Sequence, residues 1–160
     1  MNIFVLDNNP VTAAQMACDK HVVKMILESA QMLCSPFESG TAPYKRTHYN
    51  HPCSIWARAS RTNYDWLIAH ALALCAEYEI RYGPNKQHKS KKIVEWCNDN
   101  KEKLGLSDLG LTEFALAIPD DCKANDVTSA YRRYYVKHKA GFAKWTKRNV
   151  PEWFLPLDNG

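Results

Sequence analysis

Residues 18 to 33 read CDKHVVKMILESAQML, and helical spacing brings Lys20, His21, Lys24 and Glu28 to one side. At about 100° per residue, His21 and Glu28 project within about 20° of each other, with Lys24 one turn from each. A carboxylate and an imidazole so arranged can move protons, and lysines beside them can meet a phosphate. The same residues admit a plainer reading. Lys24 and Glu28 then form an i,i+4 surface pair worth a few tenths of a kcal/mol. Asp19 projects toward the apolar arc, so hydrogen bonding to nearby backbone or a cap is its expected role.

A second group of chemistry-bearing residues lies in YKRTHYNHPCSIWARASRTNY, residues 44 to 64. It carries Lys45, Arg46, Arg58 and Arg61, together with His48 and His51, and no acid. Tyr44, Tyr49, Trp56 and Tyr64 are interleaved. Cations among aromatics suit phosphate contact combined with base stacking. His48, His51, Trp56 and Arg58 are expected to line one cleft with Glu28, joining Lys20 and Lys24 as substrate-binding residues. Lys45, Arg46 and Arg61 are expected on a nucleic-acid backbone. The bland alternative is a surface loop with a helix-capping histidine. His48, His51 and Cys53 are close enough in sequence to hold a metal, but no paired ligand motif stands elsewhere. Neither a metal nor a cofactor is therefore expected.

The third feature is the run from Val127 to Arg148, which has seven Lys/Arg and no Asp or Glu. A solvated helix normally mixes signs, so unopposed cations read as a phosphate footprint. Arg132, Arg133 and Lys137 are the expected DNA contacts. Tyr131, Tyr134, Tyr135, His138, Phe142 and Trp145 share a helical face that reads as core.

These groups need a scaffold. A chain of 160 residues with 46 % hydrophobic content is expected to be a single domain, 1–160, with a real core. The apolar N-terminal run IFVL is too short for a secretory signal, and no stretch approaches 20 apolar residues. The six cysteines contain no CxxC, so free buried thiols in a cytoplasmic, monomeric protein are expected. The pattern predicts an all-α bundle of about four helices after a short extended N-terminal segment. One helix is expected from about Thr12 to Cys34, with Val22, Val23, Ile26, Leu27, Ala30 and Leu33 as its core arc. Another starts at Pro52, kinks or breaks near Thr62–Asn63 and ends at Gly83. A third begins with Ser90 as cap and stops at Gly105, and the last runs from Asp126 to Arg148.

The spacing of Asp19, His21 and Glu28 in CDKHVVKMILE resembles a helical segment of the pyrimidine-dimer DNA glycosylase (endonuclease V-like) family. In both, the segment follows a short apolar N-terminal run. The runs DKHVVKMILE, THYNHPCSIWAR and FAKWTKRNVPEWF are also similar to a set of phage proteins related to that family. The resemblance implies a small all-helical enzyme that excises a damaged or modified pyrimidine from double-stranded DNA. It implies the N-terminal α-amine as nucleophile and Glu28 as the essential carboxylate. Asn2 is large enough for the initiator methionine to stay, which makes the amine that of Met1. An α-amine titrates near 8, against about 10.4 for a lysine, so more of it is uncharged at neutral pH. It would attack the sugar C1′ and form a Schiff base, the basis of an abasic-site lyase activity. Glu28 would stabilise the developing sugar cation and move protons, while His21 orients that carboxylate or meets a phosphate. Two other functions use the same residues: modification of a pyrimidine in DNA or in a free nucleotide, and DNA binding without catalysis.

Overall fold

Asn9 caps the first helix, its side-chain oxygen accepting from Val11 N and Thr12 N in a computed structural model that describes residues 1–155. That helix, α1 (Pro10–Met16), is separate from α2 (Asp19–Cys34), where the sequence predicts one continuous helix. Ala17 and Cys18 between them are extended, with ψ of 137° and 161°. Distant groups hold the break. The Arg81 guanidinium donates to Gln15 O (3.0 Å) and Ala17 O (2.6 Å), carbonyls at the α1 terminus. The Tyr135 hydroxyl accepts from Cys18 N, and Asp19 N donates to Lys144 O.

The second predicted helix divides at Ser60, two residues before the expected Thr62–Asn63 position, giving α3 (Pro52–Ala59) and α4 (Arg61–Tyr82). Ser60 is extended; its hydroxyl accepts from Asn63 N (3.0 Å), capping α4, and donates to Gly110 O (2.6 Å). Helix α5 (Lys91–Asn100) passes into a 3₁₀ turn, Lys101–Leu104. It stops at Gly105, whose φ of +58° is the left-handed conformation that favours glycine. Ser90 precedes α5 without a side-chain cap, because its hydroxyl pairs with Tyr44 Oη at 2.7 Å. Helix α6 (Val127–Tyr134), capped by Asp126, continues only through a π-helical turn, Tyr135–Lys139. The predicted extension to Arg148 does not form, since Lys144 O and Thr146 N are bound to Asp19. There are thus six α-helices, not four, and no strand among the described residues.

Helix α4 packs against α1, α2, α3 and α5, placing Tyr64, Leu67, Ala71 and Leu74 in one contiguous core. Burial of Leu67 and of Leu74 stabilises by roughly 1.5–3 kcal/mol each. Helix α2 is covered on most of its circumference, and its buried set includes His21 and Glu28 as well as Val22, Ile26 and Leu33. Val23 and Leu27, expected in the core, are instead 38 % and 37 % exposed, flanking Lys20 and Lys24 on the open side. All six cysteines are buried free thiols. No described helix is long and apolar enough to cross a membrane.

An ionic network sits where α1, α2 and α4 meet. Arg81, its side chain fully buried, pairs with Glu77 at 3.0 Å and Asp19 at 3.2 Å. Arg148 binds both Glu77 oxygens, at 2.9 and 2.6 Å. Burial pushes the Glu77 carboxyl up, but hydrogen bonds and charge from Arg148 and Arg81 outweigh it and hold the group below its ordinary value. Asp19 completes the network by accepting from Thr146 N and Oγ1, a backbone and capping role of the kind its position predicts.

Candidate active site

The apolar run at the N-terminus forms no regular element, yet Ile3, Phe4, Val5 and Leu6 are all buried. Asn2 folds the chain locally. Its Oδ1 accepts from Ile3 N (2.8 Å) and Phe4 N (3.2 Å), and its Nδ2 donates to Ala117 O (2.8 Å). Phe4 has a φ of +57°, a conformation that costs a β-carbon-bearing residue about 1 kcal/mol or more. Its ring lies on the His21 imidazole, with centroids 4.2 Å apart. Further along, Leu6 O accepts from Arg132 Nε at 2.9 Å.

This path brings the start of the chain to Glu28. The Met1 amine is 3.3 Å from Glu28 Oε1, and Asn2 N donates to the same oxygen at 3.0 Å. The Met1 side chain is 2 % exposed while the residue as a whole is partly exposed. The side chain is therefore the anchor, and main chain is what solvent reaches. Lys24 Nζ approaches Glu28 Oε2 at 3.7 Å from the solvent side. The plain surface pair thus exists, but it shares a largely buried carboxylate with an α-amine.

His21 is 5 % exposed and faces a different partner, the Tyr135 hydroxyl, at 2.6 Å from Nδ1. That hydroxyl oxygen accepts from Cys18 N, so its proton goes to His21 Nδ1 and the ring proton stays on Nε2. Burial, with Lys139 and Lys24 nearby, pushes the His21 pKa down to about 3, so the ring is neutral. Burial likewise keeps the Tyr135 hydroxyl protonated. His21, expected to orient the Glu28 carboxylate or meet a phosphate, is paired with Tyr135. His21 supports Phe4, and through it the N-terminal segment.

The open side carries cations. Lys20 Nζ lies 4.9 Å from the Phe142 ring centroid, and Lys139 Nζ lies 5.8 Å from the same ring and 5.9 Å from that of Phe4. His51 Nδ1 accepts from Cys53 N and so caps α3. Its pKa is lowered first by burial, then by the Met1 amine and His48, with Glu28 opposing. His51 therefore lies within electrostatic reach of the amine and the carboxylate. His48 is exposed, has a φ of +50°, and pairs with Thr47 Oγ1.

Other expected site residues have structural partners. Trp56, expected to face substrate, is buried against Trp66 and Phe114, and its Nε1 donates to Thr112 O. Arg58 stacks on Tyr49 at 3.7 Å and donates to Tyr49 O at 2.5 Å. Arg46 covers the same ring at 4.5 Å and donates to Ser35 O and Phe37 O beyond the α2 terminus. Arg61 is ion-paired with Glu102. Arg132 braces Leu6 and Asp7, Arg133 donates to Lys123 O, and Lys137 donates to Asp121 O. Lys45 is exposed. Asn2, Phe4 and Lys139 belong to the site but were not singled out by spacing, and Tyr135 was read only as part of a core face; the polar Asn2 ahead of a buried apolar run was the available signal.

A family model described as pyrimidine dimer DNA glycosylase matches residues 1–90, which is more than half of the chain and holds Met1, His21 and Glu28. No curated protein and no solved structure matches the sequence.

Proposed function

The chain belongs to the pyrimidine dimer DNA glycosylase family, and from that premise we propose that it excises a damaged or modified pyrimidine from double-stranded DNA. The Met1 α-amine is the nucleophile and Glu28 the carboxylate that serves it. The observation that carries this reading is the amine at 3.3 Å from Glu28 Oε1, on a residue whose side chain is buried. An amine must lose a proton before it attacks, and a carboxylate at that distance can take it. Attack forms the N–C1′ bond as the C1′–base bond breaks, and the base leaves with the bonding pair. Once that proton has passed to solvent, Glu28 is again a carboxylate and lies beside the positive charge that builds on the sugar. Ring opening, with a proton delivered to O4′, then gives a Schiff base; Glu28 takes a C2′ proton, and the 3′ phosphate leaves with the C3′–O bonding pair, which makes the strand break of an abasic-site lyase. No metal is required at any of these steps.

His21 and Tyr135 act at one remove. They hold Phe4, and Phe4 with Asn2 fixes the chain that delivers Met1. Lys20, Lys24 and Lys139 supply positive charge around the open side for DNA phosphates.

Borohydride trapping on duplex DNA bearing ultraviolet lesions or abasic sites tests the reaction. A covalent protein–DNA adduct is expected, mapped by mass spectrometry to the Met1 amine. A chain extended by one glycine before Met1 keeps the buried methionine anchor but moves the amine, so its adduct is expected to vanish. Equal trapping by the extended chain would overturn the assignment of the nucleophile. No adduct with any lesion or abasic site would overturn the glycosylase–lyase reading.

A further inference from the structure

We propose that Asp121, Cys122 and His138 form a binding site for a divalent transition-metal cation of the zinc class, separate from the Met1–Glu28 site. One ligand atom from each residue lies within 4.8 Å of the others. His138 Nε2 is 3.1 and 3.0 Å from the two Asp121 carboxylate oxygens. Cys122 Sγ is 3.5 Å from Asp121 Oδ1. Zinc–ligand distances of about 2.0–2.3 Å place tetrahedral ligands roughly 3.3–3.8 Å apart, so small side-chain rotations fit these three around one cation.

The donor set selects the metal. A thiolate with an imidazole and a carboxylate suits zinc or cobalt and disfavours calcium and magnesium, which take oxygen ligands. When the cation binds, the Cys122 thiol gives its proton to water as the metal–sulfur bond forms. Two anionic ligands and a neutral imidazole then balance the dication. Cys122 is fully buried, whereas Asp121 and His138 are exposed. The metal therefore enters from the Asp121–His138 side, and its fourth position faces water.

Placement gives the site a consequence. Asp121 and Cys122 sit in the 3₁₀ turn Asp120–Cys122, and His138 sits in the π-helical turn after α6. A metal would clasp the irregular segment before α6 to the end of that helix. The same segment holds Ala117, whose carbonyl accepts from Asn2 Nδ2 and whose N–H donates to the Tyr131 hydroxyl. The clasp thus steadies the wall on which the N-terminal segment rests. Lys137 and Arg133 donate to backbone carbonyls of this turn and bring positive charge close to the cation, which favours moderate affinity. Among the described residues, no other three His, Cys, Asp or Glu side chains come close enough together to hold a cation. No metal was expected from the sequence, because Asp121 and His138 stand 17 positions apart and only the turn and the helix end bring them together.

The test uses the full chain, stripped with chelator and titrated with cobalt and then zinc. Expected are a single equivalent of cobalt with a thiolate-to-metal absorption band, its displacement by zinc, and a zinc-dependent rise in thermal midpoint. Cys122→Ser should abolish the band. Because Cys122 is buried, His138→Gln and Asp121→Asn, at exposed positions, provide the second arm. Each should keep the fold, weaken metal binding by about tenfold or more, and lose the thermal shift. Absence of the band and of the shift in the unaltered chain would overturn the site. So would a band that survives both Cys122→Ser and His138→Gln, which would assign the metal to other cysteines.

Discussion

The Phe4 ring lies on the His21 imidazole at 4.2 Å between centroids and 28° between planes, and that stack couples the N-terminal segment to α2. Phe4 pays for the position with a left-handed backbone. Asn2 Oδ1, the Leu6 N to Phe4 O hydrogen bond and the His21 face together hold it there. The catalytic proposal depends on that stack, because the chain it restrains ends at the amine beside Glu28.

The stack also makes a pH prediction. His21 has its pKa pushed down to about 3 and His70, fully buried, to about 4. Unfolded, both titrate near 6.5. Between those values the unfolded chain binds more protons, so stability falls as the pH drops below about 6.5. Each site contributes a slope of at most about 1.4 kcal/mol per pH unit. Urea unfolding at pH 7 and at pH 4.5 checks this. His21→Gln keeps an acceptor for the Tyr135 hydroxyl but cannot titrate, so its stability should depend less on pH. Parallel profiles for the two proteins would show that His21 is not held neutral by the fold.

The roles of Lys24 and Glu28 separate in the same way. Lys24 has a side chain 69 % exposed, and its 3.7 Å contact with Glu28 is a screened surface pair. Lys24→Gln should cost less than about 0.5 kcal/mol. Glu28→Gln still offers an oxygen to Asn2 N–H, so the fold should survive with a loss of about 1 kcal/mol. Base release and trapping should be abolished while DNA affinity remains. Glu28→Gln with full turnover would sink the catalytic assignment.

The sequence made Asp19, His21 and Glu28 visible because a seven-residue spacing on one helix is a local fact. It could not show Tyr135, Ala117 or Arg81, since these reach the same region from more than sixty residues away. Helix ends follow the same division. Those marked by local punctuation, such as Pro52, Gly83 and Gly105, fall where composition predicts. Those imposed by distant groups, at Ala17–Cys18 and beyond Lys139, do not. The burial of His21 and Glu28 was hidden for a related reason. Both sit opposite the apolar arc and are covered from outside the helix pattern, Glu28 by the N-terminal segment and His21 by Phe4, Tyr135 and Phe142.

The Arg81 network makes a stability prediction. Arg81 donates to Gln15 O and Ala17 O and pairs with Glu77 and Asp19 while fully buried. Arg81→Met leaves Glu77 with Arg148 alone and strips two carbonyls of their donor. Removing one partner of a buried pair costs about 3–5 kcal/mol. Exposed Arg61→Met, which breaks the surface pair with Glu102, should cost less than about 1 kcal/mol. Thermal melts of the two variants decide the matter, and equal losses would contradict the assigned burial.

DNA affinity should depend on the α2 lysines, which the sequence placed at the substrate, more than on the C-terminal cations. Arg132, Arg133 and Lys137 each donate to a backbone carbonyl within the protein. Lys20 and Lys24 are exposed on α2, one turn apart, and Lys24 reaches the Glu28 carboxylate. We therefore place the phosphate contacts of the active site on Lys20 and Lys24. Each phosphate contact contributes about 0.9 to the slope of log affinity against log salt. Lys20→Gln with Lys24→Gln should flatten that slope by about 1.8 and weaken binding most at low salt. Arg133→Gln with Lys137→Gln should leave the slope nearly unchanged and instead lower the thermal midpoint, because their acceptors lie on the 121–123 backbone. Fluorescence anisotropy on lesion-bearing duplexes across a salt series measures both slopes. A loss of slope in the second pair and none in the first would return the DNA interface to the C-terminal helix.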